Sequence, residues 1–180
     1  MIRYLVPVVL ITLLLGAFAK GLWKDPTVIP SPLIGTPVPQ FQLPRLDDLG
    51  ASMSTNDFSG KMVLVNIWAS WCEACRKEHP FLMELSSTQS IPIYGLNYLD
   101  TQDEALSVIR KLGNPFVVSG YDEDGNVGEA FGVYAAPETF LIDAEGKILY
   151  KHTGALTREI WQSEFLPRVA EAGVKGVERY

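Results

Sequence analysis

Cysteine is the residue this 180-residue sequence has least room to spend: there are two, Cys72 and Cys75. One possible pair makes no disulfide framework, so the fold must rest on an apolar core. Basic clusters are missing as well. With 15 Lys and Arg against 21 Asp and Glu the formal charge is −6, and a chain without a basic patch lacks the electrostatic footprint of a nucleic-acid binder. No internal repeat or low-complexity tract interrupts it. Apolar residues make up 47% and charged residues 20%, the proportions of a globular protein. A folded part of roughly 140 residues buries about two-thirds of its unfolded surface, enough for an independent core.

The two cysteines lie together in Trp71-Cys72-Glu73-Ala74-Cys75. Met62 to Ala69 leads in as a hydrophobic run with almost no polar alternation, which reads as a strand buried on both faces. A helical pattern from Arg76 to Leu85 leads out. Residues three apart stack on a helix, so the two sulfurs can close a disulfide with little backbone movement. Cys72 falls at the helix start, where free N–H groups and the dipole favour thiolate over thiol. That makes Cys72 the nucleophile and Cys75, a turn deeper, the resolving thiol. The alternative is a structural disulfide, but so small a loop adds little stability. Cys72, Cys75 and His79 also share a helical face that soft copper could use; His79 is read instead as a packed or capping histidine, and no metal site is assigned.

The N-terminus carries an uncharged run from Tyr4 to Ala19 between Arg3 and Lys20. Sixteen helical residues span roughly 24 Å, a little under the ~30 Å hydrocarbon core. With Arg3 and Lys20 snorkelling and Trp23 at the interface the run can still span, as a single anchor over residues 1–23. The competing reading is a cleaved signal peptide, because Ala17-Phe18-Ala19 fits the small-x-small cleavage pattern. Both readings export the remainder of the chain. Five prolines between Lys24 and Pro39 mark an extended spacer, assigned to 24–36. The folded domain is expected over 37–174, with a frayed tail at 175–180.

Within the domain the pattern predicts an edge strand at Phe41 to Leu43 and a short helix near Phe58. Ile93 to Leu99 reads as a second buried strand. A capping box at Thr101 to Glu104 opens a helix closed by Gly113. Phe116 to Ser119 is expected as a strand, Asp122 to Gly125 as a turn and the residues up to Phe131 as a short helix. Thr139 to Ile142 and Lys147 to His152 form a hairpin, and the last helix runs from about Thr157 to Ala172. Pro80 lies inside the helix after the cysteines and is expected to kink it. Helices alternating with strands, then a hairpin and a helix, give an α/β sandwich with a mixed sheet.

These residues resemble a known family. Trp71-Cys72-x-x-Cys75 between a buried strand and a proline-containing helix looks like thioredoxin, and Ala136-Pro137-Glu138-Thr139 is similar to its cis-proline loop. The closer resemblance is to the membrane-anchored thiol:disulfide interchange proteins of cytochrome c maturation, the CcmG/DsbE type. Asn66 to Cys72, Arg76-Lys77-Glu78-His79, Gly113-Asn114-Pro115 and Gly132 to Asp143 carry it, in order. It implies a thioredoxin-like three-layer α/β sandwich with a central mixed sheet, preceded by one transmembrane helix. It also implies a protein-disulfide reductase with a redox-active Cys72–Cys75 pair and no cofactor, anchored in the bacterial inner membrane with its domain in the periplasm. The expected partners are apocytochrome c, or a maturation thiol protein bonded to it, and a membrane electron donor of the DsbD/CcdA type. The alternatives are a broader extracytoplasmic reductase and, in another class, a copper chaperone or an apocytochrome-binding module.

Two positions depart from that pattern. Glu73-Ala74 stand where a proline and a threonine-like residue are common, and Ala135 where a glycine is usual. Both bear on the redox potential and on the fit of partners. The resemblance implies a cis Pro137, with the Ala136 backbone beside the substrate, and a groove lined by Trp71, Glu78, Glu138 and Tyr134. Thioredoxins carry a buried acid six residues before the first cysteine; Asn66 stands there, so Glu78 or Glu138 would have to replace it. The bland alternative for Glu78 is a solvated carboxylate. Glu73, next to Cys72, opposes a thiolate there and would shift the pair towards a stronger reductant, with Arg76 and Lys77 partly cancelling it.

Overall fold

The structure is a computed structural model that describes residues 32–88 and 91–173, with scattered positions between 6 and 18. Most of the expected anchor, most of the spacer and the tail therefore lie outside the described residues. The described positions between 6 and 18 are helical and exposed, and no helix among the described residues is long and apolar enough to cross a membrane.

A five-stranded mixed sheet organises the domain. Its strands are β3 (Val63–Trp68), β4 (Ile93–Tyr98), β5 (Ser119–Asp122), β6 (Glu138–Ile142) and β7 (Ile148–Thr153), and its order is β5-β4-β3-β6-β7. β3, β4 and β5 run parallel, while β6 is antiparallel to β3 and to β7. All six residues of β3 are buried, as its lack of polar alternation requires of a central strand. A separate hairpin, β1 (Gln42–Pro44) and β2 (Ser52–Ser54), leads into a 3-10 turn, Thr55–Phe58.

Each face of the sheet has its own core. On one face α1 (Glu73–Thr88), α2 (Gln102–Leu112) and α4 (158–171) pack over Leu64, Trp68, Ile93 and Leu141. On the other, the hairpin, the 3-10 turn and α3 (Asn126–Ala130) cover Val63, Val65, Ile67 and Phe140. The buried stripe of α1 is Cys75, Glu78, His79, Leu82 and Leu85, at helical spacing, and Pro80 lies on its exposed side. The chain is tied in from its start. Gly35 N–H donates to Ile148 O, Ile148 N–H to Thr36 O and Val38 N–H to Gly146 O, so residues 35 and 36, expected in the spacer, already sit on β7.

Several expectations need correction. β5 lies three residues later than its sequence pattern. Phe116 instead stacks on Trp68 with ring centroids 5.4 Å apart, and Asp122, expected in a turn, ends the strand. Its carboxylate accepts the Val127 and Gly128 N–H groups and starts α3. β2 has no counterpart in the sequence pattern, because Met53 between two serines carries too little apolar signal. The box at Thr101 does not form. Asp100 Oδ1 takes the Thr101 N–H, leaving the Thr101 hydroxyl to donate to Glu104 at 2.9 Å. The last helix starts at its cap Thr157 but includes a π-helical turn, Trp161–Phe165; Leu166 N–H reaches back to Trp161 O, and Pro167, with no N–H, comes next.

Candidate active site

β3 delivers the chain to Ala69, and a tight turn through Ser70 and Trp71 carries it into α1. Cys72 immediately precedes the helix and Cys75 lies in its first turn. The two are joined as a disulfide with Cα atoms 5.3 Å apart. The Cys75 N–H points at Cys72 Sγ, 3.0 Å away, so an amide of the helix start is aimed at the sulfur where negative charge develops on reduction. Cys72 and Cys75 are 4% and 6% exposed. In this oxidised state both cysteines are buried, and Cys75, though a turn deeper, is no more covered than Cys72.

The turn is clamped by the loop after β4. Asp100, 7% exposed, accepts four hydrogen bonds: Ser70 N–H and Asn97 Nδ2 on Oδ2 at 2.6 and 2.9 Å, and Ser70 Oγ and Thr101 N–H on Oδ1 at 2.6 and 2.9 Å. Trp71 Nε1 donates to Leu99 O at 2.8 Å, and Arg76 Nη2 to Ser70 O at 2.5 Å. Leu99 holds φ +48, the left-handed region that L residues other than glycine seldom occupy. Sequence reasoning missed Asp100, because its link to the cysteine turn runs through Ser70, 30 residues away. Asp100→Ala should strand these donors and cost about 2 kcal/mol, read as a lower urea midpoint at unchanged m-value. An unshifted midpoint would show that the clamp carries no stability.

Trp71 is 55% exposed beside the disulfide. Glu73 is exposed and pairs with Lys77 at 2.9 Å, which holds its carboxyl below the usual range. Glu78 is deeply buried, at 2% exposure. Its Oε1 accepts from Asn66 Nδ2 at 2.9 Å and its Oε2 from Leu156 N–H at 2.6 Å. Burial pushes its pKa up to about 7, against the opposing pull of those two bonds. Asn66 Nδ2 donates also to Thr139 Oγ1 at 3.1 Å, while its Oδ1 has no partner. Turning the amide over lets Oδ1 accept from a protonated Glu78 and from the Thr139 hydroxyl, so Asn66 can pair with Glu78 in either charge state. Glu78, Asn66 and Cys75 line one cavity of about 10 Å³, the size of a single water. His79, on the same wall, sets Nε2 3.1 Å from Gly113 O, and burial lowers its pKa.

Register brings the second loop to the same place. Ile67 pairs with Glu138 and Asn66 with Thr139, so the chain just before β6 lies beside the end of β3. The Ala136–Pro137 bond there is cis, and Ala136 packs on the apolar cluster that holds both cysteines. Glu138 has no exposed surface and pairs with Lys151 at 2.9 Å. Burial raises its pKa while Lys151 opposes the rise. Tyr134, 55% exposed, donates its hydroxyl to Thr153 Oγ1 at 3.2 Å. The two carboxylates expected to replace the thioredoxin acid are thus in different settings. Glu78 shares a cavity with Cys75, whereas Glu138 is held by Lys151, a half-buried residue with a covered side chain that the sequence did not single out. Among the described residues no group of three or more His, Cys, Asp or Glu side chains could hold a metal ion.

The Redoxin family model matches residues 33–165. A thiol:disulfide interchange protein DsbE of Allochromatium vinosum is 42% identical over 168 residues, 93% of either chain. The protein of that name from Escherichia coli K12 is 47% identical over 144 residues, 79% of this chain and 77% of its own. Among solved structures, a putative thiol:disulfide interchange protein DsbE from Chlorobium tepidum superposes with a TM-score of 0.66. It is 24% identical and covers 77% of this chain and 96% of its own, a likeness that shows the thioredoxin-like fold.

Proposed function

The chain belongs to the Redoxin family and is a thiol:disulfide oxidoreductase, and from that premise we propose that it is a dedicated reductant of cytochrome c maturation outside the cytoplasm. The observation that carries the reading is the Cys72–Cys75 pair at a helix start, with Cys75 sharing a cavity with a buried Glu78. Its substrate is the disulfide of a Cys-x-x-Cys-His haem-attachment site in apocytochrome c, or a partner thiol bonded to it. Haem attachment needs free thiols, and an oxidising compartment removes them. Residues 1–23 anchor the domain to the inner membrane and the proline-containing stretch up to residue 34 spaces it away, with the domain in the periplasm. A membrane donor of the DsbD/CcdA type returns the electrons. No organic cofactor takes part.

The chemistry is exchange between sulfurs. In the reduced protein the Cys72 thiolate attacks one sulfur of the substrate disulfide, and the other substrate sulfur leaves as thiolate. Cys75 then attacks Cys72 Sγ, releasing the second substrate thiol and closing the disulfide seen here. Two electrons pass to the substrate. Trp71 and Tyr134 flank the groove, and the Ala136 backbone is offered to an extended substrate segment. Glu78 accepts the Cys75 proton, directly or across one water, because it alone of the two candidate acids shares the Cys75 cavity. Glu138, tied to Lys151, shapes the groove instead.

Cys75→Ser removes the resolving thiol and should accumulate a covalent Cys72 adduct in the exported compartment. Identifying the attached protein tests the reading. An adduct with apocytochrome c, or with a maturation thiol protein, supports it. A spread of unrelated exported proteins favours the broader reductase, and no adduct sinks both. Glu73→Gln should raise the reduction potential by less than the about 30 mV that marks a tenfold change in equilibrium, because Lys77 already offsets Glu73 in solvent. A fall in potential would contradict that sign.

A further inference from the structure

Lys151 lies on β7, an edge strand of the sheet, yet its side chain is covered rather than solvated. Its side chain is 5% exposed, and lysine is rarely buried without a specific partner. Its neighbours all belong to one stretch. Nζ donates to Gly132 O at 2.8 Å and pairs with Glu138 Oε2 at 2.9 Å. It lies 4.7 Å from the centroid of the Tyr134 ring and 5.4 Å from that of Phe140. Gly132 opens the segment that leads into β6 and Glu138 is the first residue of that strand, so a single ammonium joins the two ends of segment 132–138. The segment is closed from the other side by Tyr134 Oη to Thr153 Oγ1 at 3.2 Å and Thr153 Oγ1 to Glu138 Oε1 at 3.4 Å.

A buried ion pair by itself argues weakly for stability, since two apolar side chains often serve as well. What apolar residues cannot supply is the bond to Gly132 O and the cation beneath the Tyr134 ring. We propose that Lys151 is a positioning residue for the substrate-facing segment 132–138, fixing Tyr134 and the Ala136 backbone in the geometry that receives a protein disulfide. The claim deepens the proposed function and rests on it for the identity of the substrate alone. Lys151 acts on docking and leaves the sulfur chemistry to Cys72.

The test compares Lys151→Met, which keeps the stem without the charge, with the double variant Glu138→Gln/Lys151→Met, which leaves no buried charge unpaired. Three readouts are taken on each: melting temperature, amide exchange at residues 133–136, and kinetics with a disulfide-bonded Cys-x-x-Cys-His peptide beside a small aromatic disulfide. Lys151→Met should raise KM for the peptide about tenfold, with kcat and the small-disulfide rate within about twofold of wild type. Amides 133–136 should exchange about tenfold faster while those of α1 keep their rates. The double variant should recover melting temperature but neither KM nor exchange. Recovery of all three together, or unchanged exchange in both variants, overturns the proposal and leaves Lys151 a stability residue. Should the wild type fail to reduce the peptide, the substrate reading falls, and exchange alone decides the positioning role.

Discussion

Cys72→Ser abolishes disulfide reduction, leaving the rate of the uncatalysed background. Serine at this position keeps the shape and an acceptor for the helix-start amide, in a slightly smaller volume, but cannot form a mixed disulfide. The loss belongs to chemistry rather than folding, because the reduced wild type must stay folded without the Cys72–Cys75 link in every cycle. A loop closed over so few residues adds little stability in any case. Stopped-flow reduction of a chromogenic disulfide measures the effect, with far-ultraviolet circular dichroism to show that the variant is folded. Residual activity within about tenfold of wild type would mean that Cys75 can attack directly, contrary to the assigned roles.

Glu78→Gln makes the protein slower and more stable at once. As the proton acceptor of Cys75, Glu78 is expected to be worth about 100-fold in the resolving step, within the usual range for general-base catalysis. The wild-type rate of resolution should rise with pH through an inflection near the about 7 to which burial lifts this carboxyl, and the variant should lack that inflection. Stability moves the other way. The native state holds the Glu78 proton up to about pH 7, whereas the unfolded chain releases it in the ordinary carboxylate range. Native stability therefore falls as pH climbs between those two values. Glu78→Gln removes that slope and should leave the variant more stable than wild type above pH 7. Denaturant midpoints at pH 5 and pH 8 read the slope directly. A variant with the wild-type slope would show that another group titrates there.

Local pattern made much of this fold legible. β3 announced itself by eight residues, Met62 to Ala69, with a single polar member, and that member, Asn66, proved to be the partner of Glu78. The cysteine pair and the helix after it followed from three-residue spacing. The misplaced strand shows where pattern fails. Phe116, Val117 and Val118 have the side chains of a strand, yet β5 is Ser119 to Asp122, four residues of poor or mixed strand preference held by burial and by pairing with β4. Gly95 supports that pairing, since a Cβ there would lie 2.7 Å from Ser119 Oγ and 2.9 Å from Trp68 Nε1.

The site divides in the same way. Cys72, Cys75 and Pro137 sit in motifs that can be read one segment at a time. Asp100 and Lys151 act through contacts between segments distant in sequence, Ser70 with Asp100 and Gly132 with Lys151, and no periodicity encodes those. Glu78 lies between the two cases. Its position after Cys75 placed it on the right helical face, but only the packing of Asn66 and Leu156 around it separates a buried acid from a solvated one.

The central claim is that this oxidoreductase is a dedicated reductant of haem-attachment cysteines. The most direct test is the second-order rate of the reduced domain with a peptide carrying an intramolecular Cys-x-x-Cys-His disulfide, set against an unrelated peptide disulfide of equal reduction potential. A dedicated reductant reacts with the first at least about tenfold faster, a difference of about 1.4 kcal/mol in the transition state. Equal rates with both peptides would contradict the claim and leave a general thiol reductase.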